Sequence, residues 1–260
     1  MTATTPVSSR NALGAILFDW GETLVCIPGM IHSAERHLGC VEKMYCEAGG
    51  QELSAPVQRY GVGWPAYRAA YLAAASRQMA RSVETGREHS FEARFADAFA
   101  SLGVSKPSAA ELSELVIRLG HYIVDEAVVV DGAQEVIPLL AEHYRLGVVS
   151  NYPNAPLVAR TLERFGLLRF FSGIVVSGEF GWMKPHPDVY REALRRVNAR
   201  PERTLFVGDD LRNDVKAPKA AGMRTAWFAP ERAKSADLDV DAHITDLREL
   251  PAWCRDNLEP

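Results

Sequence analysis

Four short stretches set charged or hydrogen-bonding groups at the ends of apolar runs. Ala15-Ile16-Leu17-Phe18 ends on Asp19, followed by Trp20, Gly21 and Glu22, and Leu146-Gly147-Val148-Val149 ends on Ser150 and Asn151. Leu205-Phe206-Val207-Gly208 runs into Asp209 and Asp210, with Asp214 four residues further on. The remaining stretch, Gly181-Trp182-Met183-Lys184-Pro185, holds a lysine immediately before a proline, where helical backbone is disfavoured and the chain stays extended. Each group has a use. Asp19 could act as a nucleophile or merely cap a turn; the Ser150 hydroxyl and the Asn151 backbone N–H could donate to an anionic oxygen, or serve as ordinary turn chemistry. Lys184 could supply a fixed cation or lie solvated at the surface. Carboxylates as close as 209, 210 and 214 repel unless a cation neutralises them, and donors that are all oxygen suit Mg²⁺ better than zinc. The alternative for that cluster is an Asp-rich helix start.

Apolar runs that stop abruptly on polar residues are the mark of buried parallel strands, whose carboxyl ends form one edge of an open α/β sheet. Further strands are predicted at Gly173 to Val176, Arg224 to Phe228 and His243 to Thr245, with Arg145 to Ser150 and Thr204 to Gly208 as two of those already met. Helices are predicted between them at about Gly132 to His143, Ala155 to Phe165, Asp188 to Val197 and Asp214 to Ala221. That alternation implies a parallel sheet covered on both faces, a Rossmann-like α/β core. Cys26 to Met30, with Pro28 and Gly29, reads as an exit loop after the first strand. From Ile31 to about Asp125 Ala, Leu, Arg and Glu dominate, and helices are expected over Ile31 to Ala48, Trp64 to Val83, Phe91 to Leu102 and Ser108 to Val124, the last opened by a Ser108/Glu111 capping box. The division is therefore a core of residues 12–27 and 126–260 interrupted by a helical cap, 28–125. An insertion after the first strand stands over the sheet's carboxyl edge, above Asp19. The Ala-rich helix Ala66 to Met79 could pack within the cap or face another subunit, and the oligomeric state is not fixed by the sequence.

The 260 residues are 47% hydrophobic and 24% charged, with a net charge of −4, which gives no electrostatic reason to expect nucleic acid or an anionic membrane as partner. No apolar run approaches a bilayer span and residues 1–10 lack the apolar core of a signal peptide, so a cytoplasmic location is expected. Cys26, Cys40, Cys46 and Cys254 are scattered, which argues against a structural zinc site and for reduced thiols.

Taken in order, Asp, Ser, Lys and Asp at four strand ends, with a helical insertion after the first, resemble the haloacid dehalogenase superfamily from Gly14 to about Leu250. The resemblance implies a Rossmann-like core under a mobile helical cap. It also implies Asp19 as nucleophile, Ser150 holding a phosphoryl oxygen, Lys184 balancing charge, Asp209 binding Mg²⁺ with Asp210 as the alternative, and Asp214 supporting the metal or Lys184. One position departs from the pattern. Phosphatases of the superfamily carry a second Asp two residues after the nucleophile, which protonates the leaving group and then activates water. Here Gly21 stands there, able to offer a metal only its carbonyl.

Glu22 is the nearest substitute acid, or else a turn cap, and Trp20 could shape the leaving-group side of the pocket or simply pack. His32, Glu35 and Arg68 could close over the site from the cap. Branches lacking the second Asp include phosphonate hydrolases, which use a cap lysine, and the cap offers only Lys43 and Lys106 in no matching motif. They also include 2-haloacid dehalogenases, which need no metal and sit poorly with the acidic fourth stretch. The expectation is a Mg²⁺-dependent hydrolase, most simply a phosphoric monoester hydrolase, taking a small phosphorylated substrate through an aspartyl-phosphate. The rivals are a catalytically weak phosphate-binding or regulatory protein, and a dehalogenase- or phosphonatase-like hydrolase.

Overall fold

A computed structural model of the chain describes residues 14–27, 40–41, 61–230 and 239–258. Among them, six parallel strands form one sheet: β1 (Ala15–Phe18), β4 (Arg145–Ser150), β5 (Phe171–Val176), β6 (Thr204–Gly208), β7 (Arg224–Phe228) and β8 (Ala242–Ile244), in the order β5-β4-β1-β6-β7-β8. β1 lies at the interior of this order, with Leu17 opposite Gly147 on one side and Phe206 on the other. Alternation then sorts its side chains. Ile16 and Phe18 enter one core and Ala15 and Leu17 the other, all fully buried, as a period of two requires when both faces are covered. The strands' carboxyl ends consequently share one edge.

Helices α4 (Ala133–Ala141) and α5 (Ala155–Arg164) cover the first face, together with α8 (Leu250–Leu258). On the second face α6 (Pro187–Arg196) packs Val189, Tyr190 and Ala193 against β1 and β6 residues. The insertion supplies α1 (Trp64–Thr85), α2 (Phe91–Ser101) and α3 (Ala109–Glu126), the last with its capping box as expected. Of the helix expected over 31–48, only Cys40 and Val41 are described, and both are helical; His32, Glu35 and Lys43 lie outside the described residues.

Two local readings are corrected. Cys26 is not in an exit loop but in a two-residue strand, β2 (Val25–Cys26), paired antiparallel with β3 (Val128–Val129), so the chain leaves and re-enters the core side by side. The helix expected from Asp214 begins earlier, with a wide π-type turn over Leu211–Lys216 leading into Ala217–Ala220, together α7. The cause is Asp210, whose Oδ1 accepts the Arg212 and Asn213 N–H groups at 2.8 and 2.7 Å and caps the turn.

The insertion touches the core at more than this ribbon. Between α1 and α2, Gly86 accepts the Met183 N–H at 2.9 Å, Glu88 accepts the Ser177 hydroxyl at 2.7 Å, and the Arg87 guanidinium lies 3.3 Å from the Trp182 ring centre. Helix ends are thereby fastened to the segment that leads into Lys184.

Candidate active site

The residues singled out in the sequence converge, although Lys184 is not at a strand end as expected: it follows β5 by eight residues, after a helical turn over Ser177–Phe180. Lys184 Nζ donates to Asp19 at 2.8 Å and to Asp214 at 2.7 Å, with its side chain only 3% exposed. Its backbone is held as firmly. The Asn151 carboxamide accepts the Lys184 N–H at 2.6 Å and donates to the Lys184 carbonyl at 2.8 Å, so the ends of β4 and of the lysine segment are joined. The Lys184–Pro185 peptide is cis.

Asp214 is fully buried because Gly208 makes room for it: a Cβ at position 208 would fall 2.5 Å from the Asp214 side chain. Asp19, Asp209 and Asp214 each offer an oxygen, and these oxygens lie within 4.8 Å of one another. Three carboxylates face one ammonium. Burial, then repulsion from Asp19, pushes Asp209 up to about 7, and burial outweighs the pull of Lys184 to push Asp214 up to about 8. Burial works against the Lys184 ammonium, but Asp19 and Asp214 together hold it above its ordinary value. A compact set of oxygen donors with surplus negative charge fits a hard divalent cation of the Mg²⁺ type, and Asp19, Asp209 and Asp214 are the residues that could hold one.

The other sequence candidates fall around this centre. Asp210 lines the same cavity but is absent from the triad, its carboxylate being engaged in the cap of α7. Ser150 is buried at the end of β4 and lines the cavity. Gly21 also lines it, and a Cβ built there meets no atom within 4 Å. Glu22 adopts φ 57°, a left-handed conformation unusual for a residue with a side chain, and its Oε1 accepts from the Cys26 thiol at 3.6 Å. Trp20 borders the cavity while packing: it is 2% exposed, its indole N–H donates to Thr161 at 2.9 Å, and its ring lies 4.8 Å from that of Tyr152. Arg68 and Lys106 are exposed and do not line the cavity.

A family model for haloacid dehalogenase-like hydrolases matches residues 13–222. The chain belongs to this family. It is 34% identical over 128 residues to a glyceraldehyde 3-phosphate phosphatase of Pyrococcus furiosus, a match taking in 46% of this chain and 52% of that one. The chain thus spans about half the length of the curated relatives it matches first. Two solved structures share the fold: a 2-haloacid dehalogenase from Pseudomonas syringae, with TM-score 0.69, 22% identity and coverage of 94% and 99%, and the HAD-hydrolase YfnB of Bacillus subtilis bound to magnesium, with TM-score 0.61, 21% identity and coverage of 93% and 98%. Among the described residues no helix is long and apolar enough to cross a membrane.

In this haloacid dehalogenase-like hydrolase the cavity of about 640 Å³ has a second wall that sequence reasoning missed. α1 contributes Gln78, Met79 and Ser82, the α1–α2 connection Glu88, and α2 Arg94. No local signal singles them out. Gln78, Met79 and Ser82 share one side of α1, and which side of a helix turns inward depends on how the insertion docks.

Proposed function

We propose that the protein is a Mg²⁺-dependent phosphatase of small phosphorylated metabolites, working through an aspartyl-phosphate at Asp19. The observation that carries this is the buried Lys184 bridging Asp19 and Asp214 inside a compact carboxylate triad. Such an arrangement leaves Asp19 facing a place where both a cation and an anionic phosphoryl group are favoured. The phosphatase name of the Pyrococcus relative and the bound magnesium in YfnB support the same reading. The core spans 12–27 and 126–260, and 28–125 caps it.

Asp19 attacks phosphorus, the bond to the leaving oxygen breaks, and water then attacks the aspartyl-phosphate to release inorganic phosphate and restore the carboxylate. Lys184 and the Ser150 hydroxyl hold the phosphoryl oxygens, and Asp214 keeps Lys184 aimed. Asp19, Asp209 and the Gly21 carbonyl would hold Mg²⁺ with Asp214 behind them, Asp210 being the less suitable ligand because it caps α7. A metal bound there supplies charge neutralisation for the transferring group. Position 21 offers no proton, so the leaving group departs as an anion unless Glu22 donates. Esters and anhydrides with acidic leaving groups are therefore favoured.

The test is hydrolysis of para-nitrophenyl phosphate by the purified protein and its Asp19→Asn variant, with and without Mg²⁺. Mg²⁺-dependent release that vanishes in the variant is expected. No release from either protein would favour the second reading, a phosphate-binding protein without turnover, which the bare position 21 motivates.

A further inference from the structure

The cavity is electrically two-ended. On the sheet side stand Asp19, Asp209, Asp214 and Lys184, with Arg212 also in the lining; on the helical side stand Arg94, in α2, and Glu88. Arg94 Nε donates to Gln78 Oε1 at 3.0 Å, and Gln78 is itself 6% exposed. The guanidinium carbon sits over the Phe91 and Tyr71 rings, 5.1 and 5.9 Å from their centres, within reach of cation–π attraction. Among the described residues Arg94 forms no close salt bridge, although its charge acts on the neighbouring Glu88 carboxyl and Tyr71 hydroxyl. Glu88, the carboxylate on the same wall, has its oxygens occupied by the Ser177 hydroxyl at 2.7 Å and the His89 N–H at 3.1 Å. The lining also includes the apolar Val25, Ile27, Ala75 and Met79.

We propose that Arg94, held in place by Gln78, anchors a carboxylate at the end of the substrate remote from its phosphoryl group, so that the enzyme's substrates are short phosphorylated carboxylic acids. This rests on the phosphatase reading of the sheet side. A guanidinium beside a carboxamide presents planar donors that match a carboxylate, which brings one negative charge to one cation. A second phosphate would bring about twice that charge into a cavity already rich in acid. The apolar part of the lining suits the carbon chain that joins the two charged groups.

The experiment is calorimetric titration of the full chain carrying Asp19→Asn, in Mg²⁺, with two pairs of probes: 2-phosphoglycolate against 2-hydroxyethyl phosphate, and 3-phosphoglycerate against glycerol phosphate. The members of each pair differ by a carboxylate in place of a hydroxymethyl group. A charge-assisted contact of this kind is worth about 10- to 100-fold in affinity. The carboxylate member of at least one pair should bind at least about tenfold tighter, and adding Arg94→Met should bring the pair to within about twofold. Equal affinities in both pairs, no binding of the carboxylate members, or a preference that survives Arg94→Met would overturn the proposal. Should Arg94→Met fail to fold, Gln78→Met gives the same readout: the preference falls severalfold if Gln78 positions Arg94, and an unchanged preference overturns the assignment. Failure of the phosphatase reading shows separately, as absence of phosphate release by the Asp19-intact protein while the binding preference stands.

Discussion

Replacing Gly21 with Asp should turn a selective enzyme into a general one. The backbone at 21 lies outside the left-handed region and a built Cβ meets nothing within 4 Å, so the backbone and its immediate surroundings accept a side chain there. Gly21 and Asp19 line the same cavity two residues apart, so a carboxyl at 21 enters the space that the nucleophile faces. General acid–base catalysis contributes about 10²- to 10⁴-fold, or roughly 2.7 to 5.4 kcal/mol of barrier. That gain is confined to substrates whose leaving group needs a proton. The assay is kcat/KM for glycerol phosphate and for para-nitrophenyl phosphate in Mg²⁺, for wild type and Gly21→Asp. The alkyl-to-aryl ratio should rise by about 10²- to 10⁴-fold, nearly all of it in the alkyl ester. A ratio that stays put would refute the reasoning that position 21 is where the proton is lacking. So would a wild-type protein that already hydrolyses both esters equally well while Glu22→Gln leaves the alkyl rate untouched.

Lys184→Met removes the cation between Asp19 and Asp214; kcat should fall by about 10²- to 10³-fold, and thermal unfolding should become more dependent on Mg²⁺, because the ion then has to offset the triad alone. Gly208→Ala should displace the Asp214 carboxyl, costing about 1–3 kcal/mol in denaturant unfolding and lowering activity with it. Burial raises the Glu88 carboxyl above its ordinary value, so the folded state holds its proton to higher pH than the unfolded chain does. Stability from that group is therefore greatest below the unfolded pKa and is lost as pH rises toward the raised folded value. Melting of Glu88→Gln relative to wild type should accordingly improve from pH 4.5 to pH 7, and a flat difference would remove Glu88 as a buried acid. In Mg²⁺ titrations followed by melting, wild type should gain about 2.7 kcal/mol at a hundred times Kd, with the gain much reduced in Asp209→Asn.

The positions of Asp19, Ser150 and Asp209 were legible because an apolar run that ends on a polar residue marks the carboxyl end of a buried strand, and parallel strands gather those ends at one edge; Lys184, eight residues beyond the end of β5, stood out only through the proline that follows it, and Asp214, six residues beyond β6, through its spacing from the other acids. The same logic gave the sheet its two-sided core. The β2–β3 ribbon was not legible: strands of two residues have no periodicity to read, and Pro28 and Gly29 pointed to a loop. Nor was the early start of α7, because Asp210 could serve equally as a ligand or as the cap of a turn, and only its hydrogen bonds to Arg212 and Asn213 decide how it is engaged. Arg94 and Gln78 are ordinary surface residue types on helices in which no pattern marks the inward side. Their meeting 16 residues apart is a product of docking between α1 and α2.

The Asn151 carboxamide spans both backbone groups of Lys184, and this sets the permitted vocabulary at that position. An Asp there could accept from the N–H but would face the carbonyl with another oxygen; a Ser is too short to reach both. The distance between Ser150 and Lys184, 34 positions apart in the chain, is thereby gauged by a single planar side chain with one donor end and one acceptor end. Any drift of the lysine segment must carry the end of β4 with it, so the two groups that would grip a phosphoryl oxygen travel as one jaw.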